Sequence, residues 1–224
     1  MTNQTKSSAG RVYGGMSQEE RKKLRKQQFI QAGVDIFGTE GFRKATVRKL
    51  CKQAKLTDRY FYQSFGSVEA LLIATYEHLM TESSKRMLLN ASQVEMKDGL
   101  PVNKEDFIIT SVDGFLEYMQ DPKIAKICMT EMEGVSEETN RVYNGYIERY
   151  AEIAMVLADK IYAKWDISAE ERKMLGIAMV GSMRQLTTFW LQSGYQMPRE
   201  QLSKVACDVI LGAAQFLNQQ NGEG

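Results

Sequence analysis

TVRKLCKQAKLTDRYFYQSF, residues 46–65, consists of two short amphipathic segments pinched around Ala54-Lys55-Leu56-Thr57 and dense in Arg, Lys and Tyr. In the first segment Val47, Leu50, Cys51 and Ala54 recur at i, i+3, i+4 and i+7, the spacing that lines one face of a helix. Arg48, Lys49, Lys52 and Gln53 then occupy the opposite face. In the second segment Leu56, Phe61 and Phe65 turn inward, which leaves Asp58, Arg59, Tyr60, Tyr62 and Gln63 facing out. A helix of that length spans about 13 Å at 1.5 Å per residue. It suits a major groove about 12 Å wide, with its N-terminal half reaching base edges. The stretch therefore predicts a helix-turn-helix that binds DNA.

Charge is divided along the chain in the same sense. The formal net charge is +1 over 224 residues, yet residues 1–66 hold 14 Lys/Arg against 5 Asp/Glu, and residues 67–224 hold 15 against 23. The first part is +9 and the second −8. A small basic module is the footprint of a phosphate-backbone binder, because Lys and Arg displace counterions condensed on DNA. Cys51, Cys128 and Cys207 are odd in number and widely spaced, and the chain has one His. Neither a disulfide framework nor a Cys/His zinc site is expected, so the reading is a cytoplasmic protein with no metal and no cofactor. No apolar leader or membrane-spanning run is present in the sequence. The Ser, Gly and Lys content of residues 1–16 predicts a disordered arm, either a contact to DNA or a floppy leader.

Pro occurs at 101, 122 and 198, each near an expected helix start, and no alternating β-branched run appears. The fold class is all-α, with about nine helices. Ser17 and Glu20 form a capping box for a helix that carries Phe29, Ala32, Gly33, Ile36 and Phe37 inward until Gly41 stops it. Ser67 caps a helix over about 68–88, with Val68, Leu72, Tyr76 and Leu79 inward. A loop is expected over 90–103 around Gly99-Leu100-Pro101. Helices follow near 104–120, 122–133, 137–164, 169–193 and 198–219, marked by Asp121-Pro122, Gly134 and the Ser168/Glu171 box. The expected domains are a helix-turn-helix module over 17–66 and a helical domain over 67–220.

The segment FGTEGFRKATVRKLCKQAKLTDRYFYQSFGSVEALL closely resembles the DNA-binding segment of TetR-family transcriptional regulators. The resemblance covers about residues 18–80. It rests on Phe37, Gly41-Phe42, Thr46 to Leu50, Ala54, Phe61-Tyr62, Phe65, and Glu69 with Leu71. It implies a DNA contact surface of Thr46, Arg48, Lys49, Thr57, Asp58, Arg59, Tyr60, Tyr62, Gln63 and Ser64. In that surface Thr46 holds a phosphate and Tyr62 a phosphate or a thymine methyl. Arg48 reaches a guanine or merely a phosphate, and Arg59, Tyr60 and Gln63 read sequence, although Tyr60 also suits packing against the first helix. Lys55 stands where the family commonly has Gly, and Val68 where a phosphate-contacting Lys is common. Asp58 opens the reading helix, either capping it or accepting from a cytosine amine.

The last two helices carry apolar faces too broad for one neighbour. A dimer interface is expected from Leu175, Met179, Leu186 and Trp190 with Leu202, Val205, Val209, Ala213 and Phe216, paired with the same helices of a second copy. Two copies imply a palindromic double-stranded DNA operator. The chain has 13 Met, and Met and Tyr cluster between the two ends of the helical domain. The residues expected to line a cavity for a small apolar or amphipathic effector are Phe115, Tyr118, Met119, Met132, Tyr143, Tyr146, Tyr150, Met155 and Met183. His78 suits either a structural role or a switch. By resemblance the protein is a ligand-responsive, dimeric regulator, most often a repressor. The alternative is an architectural or cell-division interaction protein on the same scaffold that needs DNA and no small ligand. A single His and no readable nucleophile-base pairing weigh against an enzyme.

Overall fold

The computed structural model describes residues 16–161 and 167–222, with the side chains of the last helix as far as residue 213. The expected arm falls mostly within residues 1–15, and the expected end of the helix over 137–164 within 162–166, so these lie outside the described residues. Most of the helices begin where a side chain satisfies an orphaned amide. Helix α1 (Gln18–Glu40) opens on Ser17, whose Oγ accepts from the Glu20 amide at 3.2 Å while Glu20 accepts from the Ser17 amide at 2.6 Å. After a 3₁₀ turn (Phe42–Lys44) come α2 (Val47–Ala54), capped by Thr46, and α3 (Asp58–Ser64). Phe29, Phe37, Leu50 and Phe61 are fully buried between these helices, with the Phe29 and Phe61 rings edge to face at 5.4 Å.

Helix α4 (Val68–Ala91) runs from this module into the rest of the chain. It packs on α1 near its start, where a Cβ at Gly33 would stand 2.6 Å from the Thr75 hydroxyl, and on α5 (Lys104–Tyr118) further along. Then follow α6 (Pro122–Lys126), a π-helical turn (Ile127–Glu131), α7 (Glu137–Asp159), α8 (Ala169–Gln192) and α9 (Arg199–Gly222). Helices α7 and α8 pack on each other, and α9 lies against α5 and α8.

Three expectations are corrected. The segment expected as a loop contains an antiparallel hairpin, β1 (Met96–Lys97) with β2 (Leu100–Pro101). Its turn is Asp98-Gly99, both at positive φ, which is the Asp-Gly signature of a two-residue hairpin. The helix expected over 122–133 is α-helical only to Lys126. The Thr130 hydroxyl donates to the Lys126 carbonyl at 2.8 Å, giving that carbonyl a side-chain donor where a regular helix relies on its own backbone amides. The helix expected to reach 164 is described only to Asp159.

One contact sets how the module meets the helical domain. A Cβ at Gly38 of α1 would lie 2.4 Å from Cβ, 2.7 Å from Cα and 3.0 Å from the carbonyl oxygen of Lys123 in α6. Backbone this close cannot yield as a long side chain can. Gly38→Ala should therefore force α1 and α6 apart and destabilise the protein by about 1–3 kcal/mol. Urea denaturation will read this as a lower midpoint, and an unchanged midpoint would show that the contact is slack.

Candidate DNA-reading head and effector cavity

Helices α2 and α3 meet at Lys55, which adopts the left-handed conformation at φ 55° and ψ 38°. The Leu56 amide donates to the Cys51 carbonyl at 3.0 Å and closes the turn. The left-handed turn expected from the family is thus made by Lys rather than Gly, at a cost of about 1 kcal/mol. The tight turn places Thr46, Arg48, Thr57, Asp58, Arg59, Tyr62 and Gln63 on the exposed side. Tyr62 is 60% exposed and rests edge-on against Phe61, so the buried ring fixes the exposed one. The Thr46 hydroxyl accepts from the Lys49 amide at 3.3 Å. Its own proton remains available to a phosphate.

Four residues of the expected DNA contact surface have other partners. Lys49 is tied down: its Nζ pairs with the Glu40 carboxylate and donates to the Lys44 carbonyl at 3.1 Å, so it braces α2 against the end of α1. Tyr60 is half-buried, with the Arg25 guanidinium 4.4 Å from its ring centre, the packing against the first helix that its position allowed. Ser64 is half-buried and donates to the Tyr60 carbonyl at 2.9 Å. Asp58 is the first residue of α3 rather than its cap. Thr57 holds the cap position without a side-chain bond, and the Asp58 carboxylate accepts from the Arg59 amide at 2.8 Å. A negative charge there is favoured by the helix dipole.

A polar clamp binds this head to the helical domain. Asp35 of α1 accepts from Gln53 of α2 at 2.8 Å and from Lys123 of α6 at 2.8 Å. Lys126 donates to the Thr39 carbonyl at 3.0 Å, and Glu131 of the π turn accepts from the Phe42 amide at 2.6 Å. Gly41 at φ 87° turns the chain so that this amide points at Glu131. On the far side Ser136, the cap of α7, donates to Glu69 at the start of α4. Motifs spaced at helical periods gave no sign of these pairs, whose partners stand 87, 88 and 89 residues apart.

A cavity of about 110 Å³ lies within the helical domain. Tyr76 and Met80 of α4, Phe107 of α5, Cys128 and Met129 of the π turn, and Met179 and Arg184 of α8 contribute to its wall. Of the expected lining, Phe115, Tyr143, Tyr146, Tyr150 and Met183 are in place. Tyr118, Met119, Met132 and Met155 are not. Tyr118 lies under the Arg86 guanidinium at 4.8 Å, and partial burial raises its hydroxyl to about 12. Met119 and Met132 are consumed by the close-packed core, and Met155 packs with Ala158 and Met179 in a smaller cluster. The Tyr150 hydroxyl donates to the Met80 carbonyl at 2.8 Å and that of Tyr146 to the Glu77 carbonyl at 3.3 Å. Burial pushes the Tyr76 and Tyr150 hydroxyls well above the ordinary tyrosine value, so they stay neutral. His78 is exposed on α4 and takes no part in the wall.

Arg184 escaped the sequence reading. The signal was its position four residues after Val180 and three before Thr187, a charge on the inward face of an amphipathic helix. Its Nη2 donates to the Met129 carbonyl at 3.3 Å and to Glu133 at 2.7 Å, and its carbon lies 5.5 Å from the Tyr143 ring centre.

The expected interface residues divide. Val205 and Val209 are exposed on α9, together with Phe189 of α8, which is 68% exposed. Leu175, Leu186 and Ala213 are half-buried. Met179, Trp190 and Leu202 are corrected, since each is buried within its own protomer and has almost no surface to offer a second copy. Met179 faces the cavity, and the Trp190 indole donates to the Met197 carbonyl at 2.7 Å with its ring 4.7 Å from Tyr195. Phe216 lies beyond the described side chains.

Residues 29–75 match the family model described as bacterial regulatory proteins, tetR family. The chain is 21% identical over 197 residues to the fatty acid metabolism regulator protein of Bacillus subtilis, covering 86% of this chain and 96% of that protein. The fold is shared with the fatty acid degradation regulator FadR of Bacillus halodurans at a TM-score of 0.70 and 19% identity, over 84% of this chain and 95% of that one. Bacillus subtilis FadR in complex with stearoyl-CoA superposes at a TM-score of 0.68 and 17% identity, over 82% and 96% of the two chains.

The clamp is sensitive to pH in a definite direction. Lys123 holds the Asp35 carboxyl below its ordinary value of 3.8, so the contribution of Asp35 is complete above that value and is lost as pH falls through the depressed one. Asp35 in turn raises Lys123 above 10.5, so that contribution is complete below 10.5 and is lost as pH rises through the raised value. Asp35→Asn should lower the melting temperature at pH 7 and flatten the decline seen in the wild type below pH 4. Melting curves of equal acid dependence in the two proteins would remove Asp35 from the clamp.

Proposed function

Because residues 29–75 match the model of the tetR family of bacterial regulatory proteins, we propose that the chain is a cytoplasmic, homodimeric repressor of that family, released from a palindromic operator by a small amphipathic effector. Exposed Arg48, Arg59, Tyr62 and Gln63 form the surface offered to the groove, with Thr46 as a phosphate anchor. The second copy covers the exposed apolar strip of Phe189, Val205 and Val209, and a two-fold axis there sets the two heads at half-sites about 34 Å or somewhat more apart. The cavity receives the effector. Stearoyl-CoA, bound by one structural relative, joins an apolar chain to a polar head and is a molecule of this general kind.

One observation carries the reading. The five-residue π turn contributes Cys128 and Met129 to the cavity wall and Glu131 to the Phe42 amide of the reading head. Any ligand that expands the cavity pushes on the segment that holds the head. Helix α4 provides a second route, with Tyr76 and Met80 in the wall and Leu71 and Leu72 buried nearer its start. The effector shifts the equilibrium only by its difference in affinity for the two arrangements. The architectural alternative calls for a solid core between α4 and α8, and the cavity speaks against it.

Selection of genomic fragments bound by the protein will supply the operator for fluorescence-anisotropy titration. Arg48→Ala and Tyr62→Ala should each weaken binding by tenfold or more, consistent with about 1–3 kcal/mol for a specific groove contact, with melting temperature and dimer mass unchanged. Unaltered affinity in both variants would sink the assignment of α2 and α3 as the reading head. Affinity should also fall steeply with salt, because the first 66 residues carry a net charge of +9. A flat plot of log K against log salt would contradict a phosphate-contacting head.

A further inference from the structure

Among the described residues that line the cavity, Arg184 is the one that carries a formal charge. Tyr146, Tyr150 and Ser111 each donate their hydroxyl proton to a backbone carbonyl. Arg184 is committed only in part. A guanidinium has five N–H donors, and its bonds to Met129 and Glu133 both use Nη2. Nε is buried without a partner, although a buried donor left unmatched costs free energy. Nε shares its edge with Nη2, whose donors already go to Met129 and Glu133, so a carboxylate oxygen that reaches Nε takes a single charge-assisted bond there.

We propose that the cavity binds a monocarboxylate with an aliphatic body, its carboxylate on the Nε edge of Arg184 and its chain among Tyr76, Phe115, Met129 and Met183. This assignment rests on the effector-binding reading above and names the chemistry of that site. An apolar molecule without a head leaves Arg184 Nε unmatched, and a cationic head meets a like charge. A bulky polyanionic head meets Glu133, whose carboxylate sits 2.7 Å from Nη2 and is largely exposed beside it. The wall can adapt to chain length because Met80, Met87, Met129, Met179 and Met183 are flexible thioethers.

The test is calorimetric titration of the full-length dimer with sodium octanoate, octan-1-ol, octylamine and octanoyl-CoA, repeated on Arg184→Met. The wild type should bind octanoate at least tenfold tighter than the other three. Arg184→Met should lose that preference while binding octan-1-ol as before, which also shows that the cavity has survived. Arg184→Gln, a smaller polar change, is to give the same loss if the Met variant does not fold. Equal affinity for octanoate and octan-1-ol, undiminished octanoate binding in either variant, or tighter binding of octanoyl-CoA would each overturn the assignment. Operator release is scored separately by anisotropy. Octanoate that binds through Arg184 without releasing DNA leaves the site standing and refutes the effector reading instead.

Discussion

The contact of Gly38 with the backbone of Lys123 is the constraint on which the rest of the molecule depends, because it decides where the reading head sits on the helical domain. Backbone-to-backbone approach at that distance admits one arrangement. Around it, Asp35 ties Gln53 and Lys123 together, Lys126 reaches the Thr39 carbonyl and Glu131 holds the Phe42 amide. These polar bonds are partly exposed and add little to stability taken singly. Their value is directional, since each fixes one edge of the head relative to α6 and the π turn. A joint made of close packing and a few weak polar bonds is firm enough to define an orientation. It is also weak enough for a ligand of ordinary affinity to change it, as coupling energies of about 1–3 kcal/mol require.

The π turn gives this joint its reach into the core. Five residues pass from the cavity wall at Cys128 and Met129 to the head at Glu131. Irregular helical turns of this type are frequent at functional positions, where the wider ring re-aims side chains that a regular helix would place elsewhere. Here, Thr130 bonds back to Lys126 at the same place. The cavity and the clamp are therefore two faces of one segment.

Helix α8 serves two surfaces with one amphipathic pattern too broad for either alone. Its inner side supplies Met179, Met183 and Arg184 to the cavity, and its outer side leaves Phe189 in solvent. Exposed Phe189 on α8 and exposed Val205 and Val209 on α9 are apolar surface of the sort that a second subunit covers. The proposed interface and the cavity thus lie on opposite sides of the same helix, so a change in the packing of one bears on the other.

The amino-acid order by itself determined the helices, their caps and the reading head, because these depend on neighbours within four residues. Ser17 with Glu20, Thr46, Ser67, Asp121-Pro122 and Ser168 with Glu171 mark starts by local hydrogen bonding, and the 3.6-residue period of Val47, Leu50, Cys51 and Ala54 leaves one choice of outward face. Asp98-Gly99 was equally legible as a hairpin turn, a signal within the same range. Tertiary structure decided the rest. Periodicity says that Met119, Met179 and Met183 face inward, and it is silent on whether they meet a close-packed core, a cavity or another subunit. Lys49 reads as a DNA contact until Glu40 claims it, and Tyr60 until Arg25 covers its ring. Arg184 and the Asp35 clamp acquire meaning only when residues far apart in the chain are brought together, because burial and charge pairing are properties of the assembled surroundings and not of the local sequence.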